Sequence, residues 1–388
     1  MPSDQAQFDK LHATTSYMLS LFTHMLASQT MKTSDGYPPK PDHLSPEMDG
    51  ECTVIIDRMV RAFLDPVTVP WDYHKYVYEC TRRCLGGGMG QKERKLAQTF
   101  KRWRDDLTTI VSPQTVVDNQ GRIIVWALPD LLSPRIQNIL EEGTKLQREF
   151  LEAELAKGHE GDSWRWNKSL FRKGAPGDIN GVLNFSPAWF MLGHQGKASG
   201  LKTSPFLTTS AGELWMKNFF DAGSIISGIL RIMHPDQYRM QWETVQVLRH
   251  DSRFTAIFDV WPSIFAAISV IANRQAPLHR DPNGNYYWYD ILVSVGRYTT
   301  AYLCLEPIGF QIRNRPGTVV GFSGKGIRHG VAEADGQRYC HAFYLRTDVQ
   351  QYCNVRGAGC MTQEVFRRWV GSIGAEKLTN IARDPFFL

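Results

Sequence analysis

The sequence of this 388-residue chain predicts an α+β fold, in which helices buttress a jelly-roll core of two packed β-sheets, also called a double-stranded β-helix. Three observations lead to this prediction. Short runs rich in Val, Ile, Tyr and Phe crowd the C-terminal half, glycines separate them, and the N-terminal half shows helical periodicity instead. We therefore expect a mainly helical region over residues 1–175, with a β-hairpin near 114–128, followed by the jelly-roll core over 176–388.

The N-terminal region divides into helices and one hairpin. Apolar residues recur at helical spacing in three segments, residues 1–35, 51–64 and 91–108. A hairpin is expected around residues 118–121, where "DNQG" supplies turn chemistry. A long helix should begin at Ser133-Pro134 and end at Gly158, because these residues are typical of the two ends of a helix.

The remaining segments lead into the core. Residues 159–205 are predicted to form loops, two helices should follow over 211–223 and 224–235, and the β-core should begin near residue 242. Six runs predict its main strands: residues 268–275, 288–296, 299–306, 309–314, 317–324 and 338–346.

Strand alternation predicts which side chains of the last run face the interior. If Arg338 points inward, then Cys340, Ala342 and Tyr344 do as well, because side chains two apart share one face. His341 then points away and is expected to be packed rather than to act as a ligand. Small side chains at two of the inward positions would leave room for a bound molecule.

Four side chains form the pattern that carries the chemistry. His279 and Asp281 lie two positions apart in "PLHRDPNG", His329 follows 48 positions after the aspartate, and Arg338 follows nine positions later. In an extended segment, residues i and i+2 face the same way, so both members of the His-x-Asp pair can point into one cavity. Two imidazoles and one carboxylate form the facial triad of non-haem Fe(II) oxygenases. Arg338 then fits as the anchor for the distal carboxylate of 2-oxoglutarate, because its planar fork can form two parallel hydrogen bonds.

Some of these residues, and a second motif like theirs, have other interpretations. A second His-x-Asp at residues 234–236 has no arginine at the matching position and is better interpreted as a helix end stopped by proline. The "DPNGN" around Asp281 is also turn chemistry, but a polar turn does not explain the downstream His329 and Arg338. Arg346 shares the parity of Arg338 and is the alternative anchor, although a solvated charge at a strand end is its simpler explanation.

Composition limits the class of protein. The net charge is only +5, which does not by itself indicate nucleic-acid binding. No charge-free apolar run of 18 residues occurs, so no membrane span is predicted, and the polar N-terminus predicts no signal peptide. The seven cysteines include no Cys-x2-Cys pair, which argues against a zinc site or a disulfide framework and favours an intracellular location.

Two segments combine basic and aromatic residues. They span residues 82–104 and 164–174, and such combinations can neutralise phosphates and stack on bases. A solvated helix face is the alternative interpretation of each segment. The candidate nucleic-acid contacts are Arg82, Arg83, Lys92, Arg94, Lys95, Arg165 and Lys168, together with Asn283 beside the His-x-Asp pair.

The segments around these residues resemble the TET/JBP-type 2-oxoglutarate dioxygenases, which oxidise methyl groups on DNA bases. The resemblance covers roughly residues 115–350 and rests on "VIANRQAPLHRDPNG", "PGTVVGFSGKGIRHGV" and the strand of Arg338. The upstream "GRIIVWALPDLL" and "FSPAWFMLGHQGKASG" are similar to the fungal, transposon-associated branch. The cysteine-rich zinc region of animal members is lacking, which puts an animal-type DNA clamp in doubt.

The resemblance implies a set of cofactors and residue roles. It implies Fe(II) bound by His279, Asp281 and His329, with 2-oxoglutarate and O2 as co-substrates. Arg338 would bind 2-oxoglutarate, and Arg274 matches a second position that contacts it in some members; a surface charge is the alternative for Arg274. The implied partner is double-stranded DNA with a flipped methylated base, handled by a nuclear, monomeric enzyme without a membrane association.

The preferred function is therefore oxidation of 5-methylcytosine in DNA to 5-hydroxymethylcytosine and further products. Demethylation of N6-methyladenine at the same iron site is the nearest alternative, and hydroxylation of a protein or small molecule is a second. A non-enzymatic DNA-binding module is disfavoured by the intact triad. Base stacking could involve Tyr286, Tyr287, Trp288 and Tyr298, and base-edge contacts Asn273 and Asn283, although a core role is the simpler expectation for each aromatic.

Overall fold

The structure is a computed structural model, and it describes residues 6–31, 36–82, 89–102, 106–158, 164–172, 177–190 and 200–366. Its helices are α1 (Ala6–Met31), α2 (Pro46–Leu64), α3 (Tyr73–Thr81), α4 (Met89–Thr99), α5 (Pro134–Leu146), α6 (Arg148–Lys157), α7 (Ser210–Asn218), α8 (Phe220–Met233), α9 (Pro235–Arg249), α10 (Thr255–Val260) and α11 (Thr347–Tyr352). Among the helices of the described ranges, none is both long and apolar enough to cross a membrane.

The strands concentrate in the C-terminal half. They are β1 (Pro66–Thr68), β2 (Thr108–Ile110), β3 (Gln114–Val117), β4 (Ile123–Leu128), β5 (Gly181–Phe185), β6 (Trp189–Phe190), β7 (Leu201–Lys202), β8 (Ala267–Ala272), β9 (Ala276–His279), β10 (Asp290–Arg297), β11 (Tyr302–Leu305), β12 (Phe310–Arg313), β13 (Thr318–Phe322), β14 (His329–Val331) and β15 (Gln337–Tyr344).

Two sheets form the core. The larger has eight strands in the order β1-β3-β4-β13-β10-β15-β8-β5, and the smaller has five in the order β2-β12-β11-β14-β9. Only the β1–β3 and β2–β12 pairs are parallel in these two sheets. From β8 to β15, consecutive strands alternate between the two sheets, apart from the β11–β12 hairpin, as in a jelly roll. The predicted α+β class with a helix-buttressed jelly-roll core is confirmed.

The larger sheet has one face against helices and one face towards the interior. On β15, Phe343 packs on Phe219 with ring centroids 6.1 Å apart, and His341 lies 3.1 Å from the hydroxyl of Thr144 on α5. Arg338 and Cys340 alternate with these residues and therefore face the interior. His341 is fully buried behind the sheet and is packed, as the alternation predicts.

The sequence misjudged three stretches outside the main strands. The single helix expected up to Gly158 is two helices, α5 and α6, which meet at the fully buried Gln147; no proline or glycine marks this break. Within the predicted loop region 159–205, β5 pairs with β8 along its whole length, because its apolar side chains are buried there. The core strands resume at Ala267 rather than near 242, since α9 and α10 occupy the interval.

The second His-x-Asp lies at a helix junction, as expected. His234 ends α8, and its ring accepts a hydrogen bond from the backbone N–H of Gln237 in the first turn of α9. Its Nε2 lies 2.9 Å from the carbonyl of Gly359. Burial lowers the pKa of His234 to about 4, so the imidazole is neutral and serves as a helix cap.

The hairpin predicted near 114–128 is present as β3 and β4, which pair in antiparallel register. β4 also pairs with β13, so the hairpin is part of the larger sheet of the core. The larger sheet thus contains strands from both sides of the expected division between 1–175 and 176–388. That division stays a prediction.

Candidate metal centre and active site

Strand register brings the two histidines together. His279 ends β9 and His329 begins β14, and the two residues are direct partners in the smaller sheet. Their ring centroids are 4.3 Å apart. Neighbouring positions on paired strands place side chains on the same face of a sheet. Two imidazoles 50 positions apart in the sequence therefore point into one cavity.

Asp281 completes the group just beyond the end of β9. Its backbone N–H donates to the carbonyl of Gly324 over 2.9 Å, which fixes the turn that carries it. Its Oδ1 lies 3.6 Å from Nε2 of His279, and its Oδ2 lies 3.7 Å from Nε2 of His329. One ligand atom from each of the three residues lies within 4.8 Å of the others. This set of two nitrogens and one oxygen fits an Fe(II) facial triad.

Backbone carbonyls set the tautomer of both imidazoles. Nδ1 of His279 lies 2.8 Å from the carbonyl of Pro277, and Nδ1 of His329 lies 2.9 Å from that of Ile327. A carbonyl can only accept, so Nδ1 must carry the proton and Nε2 keeps its lone pair. Burial lowers the pKa of His329 to about 4, which also keeps that ring neutral. Both Nε2 atoms are thus prepared to bind a metal.

The carboxylate of Asp281 remains ionised. Burial acts to raise its pKa, but the two histidines and the guanidinium of Arg165 beside it outweigh this effect and hold the pKa well below its usual range. The side chain is still 41% exposed, so the carboxylate faces an opening rather than a closed core. An ionised, accessible carboxylate is the form that ligates a divalent cation.

A short 3₁₀-helix, Trp164–Trp166, covers one side of the group. The Trp164 ring lies 4.6 Å from the ring of His279, and Arg165 Nη2 lies 3.0 Å from Oδ1 of Asp281. The guanidinium of Arg274 lies over the same tryptophan at 4.8 Å and donates to the carbonyl of Arg165 over 3.1 Å. Arg165, predicted as a DNA contact, is therefore engaged with the acidic member of the triad.

Arg338 and Arg274 form a buried cationic end of the cavity. Arg338 is the second residue of β15 and lies opposite Gly296, where a Cβ atom would collide with the carbonyl of Gln337, so only glycine allows this close approach. Arg338 Nη2 donates to the carbonyl of Arg274 over 2.8 Å. Nε of Arg274 is buried and lacks a hydrogen-bond partner among the described residues. Burial, then the charges of Arg165 and Arg338, lower the pKa of Arg274 to about 10.

This cationic end fits an anionic co-substrate. Arg274 lies close to Arg165 and Arg338, and Asp281 is the carboxylate beside Arg165 and Arg274. The unpartnered buried donor of Arg274 costs about 1–3 kcal/mol unless a ligand satisfies it. The alternative anchor, Arg346, lies beyond the other end of β15 and pairs with Asp348 over 2.9 Å. The positions of these arginines therefore favour Arg338 over Arg346 as the anchor.

Several of the residues predicted to contact the base already form hydrogen bonds within the protein. Asn273 accepts from the backbone N–H of Arg338 and donates to the carbonyl of Ile179, so its amide braces two strands. Trp288 and Tyr298 are buried and donate to backbone carbonyls. Asn283 is exposed on the loop after Asp281. Tyr286 and Tyr287 are partly buried near the same loop.

Some of the basic residues predicted to contact nucleic acid bond to other protein groups, and others are exposed. Arg82 pairs with Glu79 over 2.9 Å, and Nζ of Lys92 bonds to the carbonyl of Cys80. Arg94 and Lys95 are exposed on α4. Lys168 is also exposed, near Arg165, whereas Arg83 lies outside the described residues.

Helix α4 is tied directly to the metal-binding segment. Arg280, between the two residues of the His-x-Asp pair, points away from the triad and forms a bidentate pair with Glu93 of α4, at 2.9 and 3.1 Å. It also donates to the hydroxyl of Tyr76 over 2.6 Å. Helix α4, which carries the exposed Arg94 and Lys95, is thus attached to the segment that carries His279 and Asp281, a contact that the sequence did not reveal.

The opposite end of the cavity is polar, and sequence analysis overlooked it. Asp290 begins β10 and accepts from the backbone N–H of Gly324 over 3.1 Å. Burial, then the charge of Asp281, raise the pKa of Asp290 well above its usual range. On the facing strands, the hydroxyl of Tyr344 lies 3.5 Å from that of Ser269, which bonds to Asn184. The sequence indicated this polar end only through Asp290, a single acidic residue in the strand-forming run "YDILVSV".

Comparisons with known proteins agree with the geometry. Residues 192–347 match the profile of the Tet/JBP family, described as the oxygenase domain of the 2-oxoglutarate/Fe(II) dioxygenase superfamily. No curated protein matches the chain significantly.

Solved structures that the chain resembles include NgTET1 in complex with 5mC DNA, at 14% identity and a TM-score of 0.39, covering 72% of this chain and 93% of that one. A 2-oxoglutarate/Fe(II) oxygenase from Burkholderia pseudomallei has 14% identity and a TM-score of 0.26, with coverages of 69% and 94%. JOX2 in complex with 2OG, Fe and JA has 13% identity and a TM-score of 0.30, with coverages of 90% and 92%.

All three TM-scores lie below 0.5, so these likenesses add nothing to the assignment. The family match over 192–347 includes His279, Asp281, His329 and Arg338. The residues that could hold Fe(II) and an anionic co-substrate therefore lie within the matched domain. Residues 192–347 thus match the Tet/JBP oxygenase model, and the chain is a 2-oxoglutarate-dependent Fe(II) dioxygenase that uses O2.

Proposed function

We propose that this dioxygenase oxidises methylated bases in double-stranded DNA, with 5-methylcytosine as the first candidate and N6-methyladenine as the second. The observation that carries the proposal is the bond between Arg280 and Glu93, because it joins the metal-binding segment to a helix with exposed cations. Cations beside an oxidising centre can hold the phosphates of a substrate strand. The match of residues 192–347 to the Tet/JBP model supports the same substrate class.

In this proposal His279, Asp281 and His329 hold Fe(II) through two Nε2 atoms and one carboxylate oxygen. When bound, Fe(II) with 2-oxoglutarate and O2 supplies the power to oxidise an unactivated methyl group. Arg338 binds the distal carboxylate of 2-oxoglutarate, and Nε of Arg274 supplies an additional donor beside it. Arg165 holds the carboxylate of Asp281 in place.

The substrate base must leave the duplex to reach this cavity. A stacked base cannot approach a metal between two sheets, so it must be flipped, at a free-energy cost of a few kcal/mol. The exposed Arg94, Lys95 and Lys168 would hold the phosphates, and Asn283 lies on the loop that a flipped nucleotide would pass. A DNA substrate is consistent with the predicted nuclear location; the monomeric state and placement in the fungal branch stay predictions.

The direct test uses duplexes with one 5-methylcytosine or one N6-methyladenine, incubated with enzyme, Fe(II) and 2-oxoglutarate. We expect succinate and an oxidised or demethylated nucleoside in mass spectra, both dependent on Fe(II). Succinate that forms only with a protein or small molecule present would transfer the activity to that class of substrate. The His279→Ala variant is the matched control and should form neither product.

A further inference from the structure

The three candidate metal ligands lie on two short segments. His279 and Asp281 belong to residues 279–281, at the end of β9 and just beyond it, and His329 follows the turn 323–328 between β13 and β14. β9 is the last strand of the smaller sheet, and a register shift separates its two residue pairs with β14. Beyond the strand, the backbone N–H of Asp281 bonds to the carbonyl of Gly324. The sheet therefore holds segment 279–281 along one side only.

Arg280, the central residue of segment 279–281, supplies attachments on the other side. Its Nε and Nη2 donate to the two carboxylate oxygens of Glu93 on α4, over 2.9 and 3.1 Å. Nη2 also donates to the hydroxyl of the buried Tyr76 on α3 over 2.6 Å, and Nη1 donates to the carbonyl of Gly326 in the turn 323–328. All three guanidinium nitrogens are thus engaged, and the Arg280 side chain is only 17% exposed.

The bond to Gly326 reaches the segment that carries the third ligand. The N–H of Gly326 donates to the hydroxyl of Ser323 over 2.9 Å, which closes the turn 323–328. The next residue, Ile327, offers the carbonyl that lies 2.9 Å from Nδ1 of His329 and fixes the orientation of that ring. Arg280 therefore joins the segment of two ligands to the backbone that orients the third, and joins both to α3 and α4.

We propose that Arg280 is a positioning residue of the metal centre, which holds segment 279–281 and the turn 323–328 in the relative position that metal binding requires. A guanidinium suits this role because its donors point in fixed directions within one plane and can serve a carboxylate, a hydroxyl and a carbonyl at once. A lysine ammonium is a compact charge on a flexible stem and cannot reach all three partners. This role belongs to the iron site and does not depend on which substrate is oxidised.

The test is a titration of the metal-free protein with Co(II), followed by visible absorption and without DNA or 2-oxoglutarate. Arg280→Met should raise the Kd for Co(II) about 10-fold or more, as expected for loss of a residue that supports metal ligands. Arg280→Lys keeps the charge but loses the fork, so it should weaken Co(II) binding as well. The matched control is Arg328→Met, because Arg328 adjoins His329 in the sequence but pairs with Glu306 over 3.0 Å, and this variant should bind Co(II) as the wild type does.

A double variant separates positioning from stability. Replacing a buried ion pair by apolar side chains often leaves stability unchanged, so Arg280→Met with Glu93→Met should unfold in denaturant near the wild-type midpoint. The Kd for Co(II) should nevertheless stay raised in the double variant, because the apolar pair cannot hold the carbonyl of Gly326. Co(II) affinity that recovers together with stability overturns the positioning role. Wild-type affinity in Arg280→Met, or in Arg280→Lys should the methionine variant not fold, overturns it equally and leaves the proposed DNA oxidation untouched.

Discussion

The metal-binding group and helix α4 are joined by the Arg280–Glu93 pair, yet they are built in opposite ways. His279 and His329 are direct strand partners, and each ring is bonded to a backbone carbonyl. Arg94 and Lys95 of α4 are exposed, and the nearest carboxylate to Lys95, on Glu79, is 4.0 Å away. Preorganised buried contacts contribute much free energy each, whereas exposed charges contribute little and are screened by salt. Substitutions in the metal-binding group should therefore have much larger effects on activity than substitutions in α4.

The largest effect should come from a metal-binding histidine. His329→Ala removes a nitrogen that strand register places beside His279. Changes to residues around a metal ligand already lower affinity 10- to 100-fold, so loss of the ligand should weaken Fe(II) binding more than about 100-fold and abolish succinate formation. His250→Ala, an exposed histidine at the end of α9, is the control. Retained iron binding in His329→Ala would exclude this histidine from the site.

The second effect concerns the cationic end. Arg338→Ala should raise the 2-oxoglutarate concentration needed for half-maximal rate about 10- to 100-fold, because roughly 1.5–3 kcal/mol of charge-assisted hydrogen bonding is lost. Arg346→Ala provides the comparison, since Arg346 pairs with Asp348 at the far end of β15 and should leave that concentration unchanged. Titrating 2-oxoglutarate against succinate formation measures both. The reverse ranking of the two variants would make Arg346 the anchor.

The triad could be predicted from the sequence because its members lie in strands with strong local signals. His279 and Asp281 follow the i, i+2 rule, and the run around Arg338 alternates as a half-buried strand should. Glycines mark the close approaches between strands, such as Gly296 opposite Arg338. The local sequence pattern was therefore enough to predict where these strands lie and which face each of these side chains occupies.

Contacts between distant segments could not be predicted in this way. Arg165 reaches Asp281 across 116 positions, and Glu93 reaches Arg280 across 187. Each of these charged residues looks like a solvated side chain in its own segment, and only the packing of α4 and the 3₁₀-helix on the core reveals its partner. Asp290 escaped for the same reason, because a single acidic residue at a strand end has many ordinary explanations.

The third prediction compares buried histidines on the two sides of the larger sheet. Burial lowers the pKa of His341 to about 3 and that of His329 to about 4, below the value near 6.5 of an unfolded chain. The unfolded state then binds more protons, so the free energy of unfolding should fall as pH drops from 6.5 towards these values. At pH 5 each histidine should reduce it by about 2 kcal/mol.

Denaturant unfolding of the metal-free protein at pH 7 and pH 5 measures this loss. His341→Leu should flatten the dependence, because the leucine has no proton to gain. Added Mn(II) should change the contribution of the metal-binding group, which includes His329, and not that of His341, since His341 lies behind the sheet beside Thr144. A pH dependence that is identical in wild type and His341→Leu would show that His341 does not stay neutral in the folded state.

The smallest effect should come from α4. Replacing Arg94 and Lys95 by Gln should make the plot of log Kd against log salt shallower by about 2, because each phosphate contact contributes a slope of about 0.9. The rate at saturating DNA should stay unchanged, since neither side chain contacts the triad. Lys217→Gln, on α7, is the control for loss of an exposed lysine elsewhere. An unchanged slope in the double variant, together with a shallower one in Lys168→Gln, would move the phosphate contact from α4 to the segment beside Arg165.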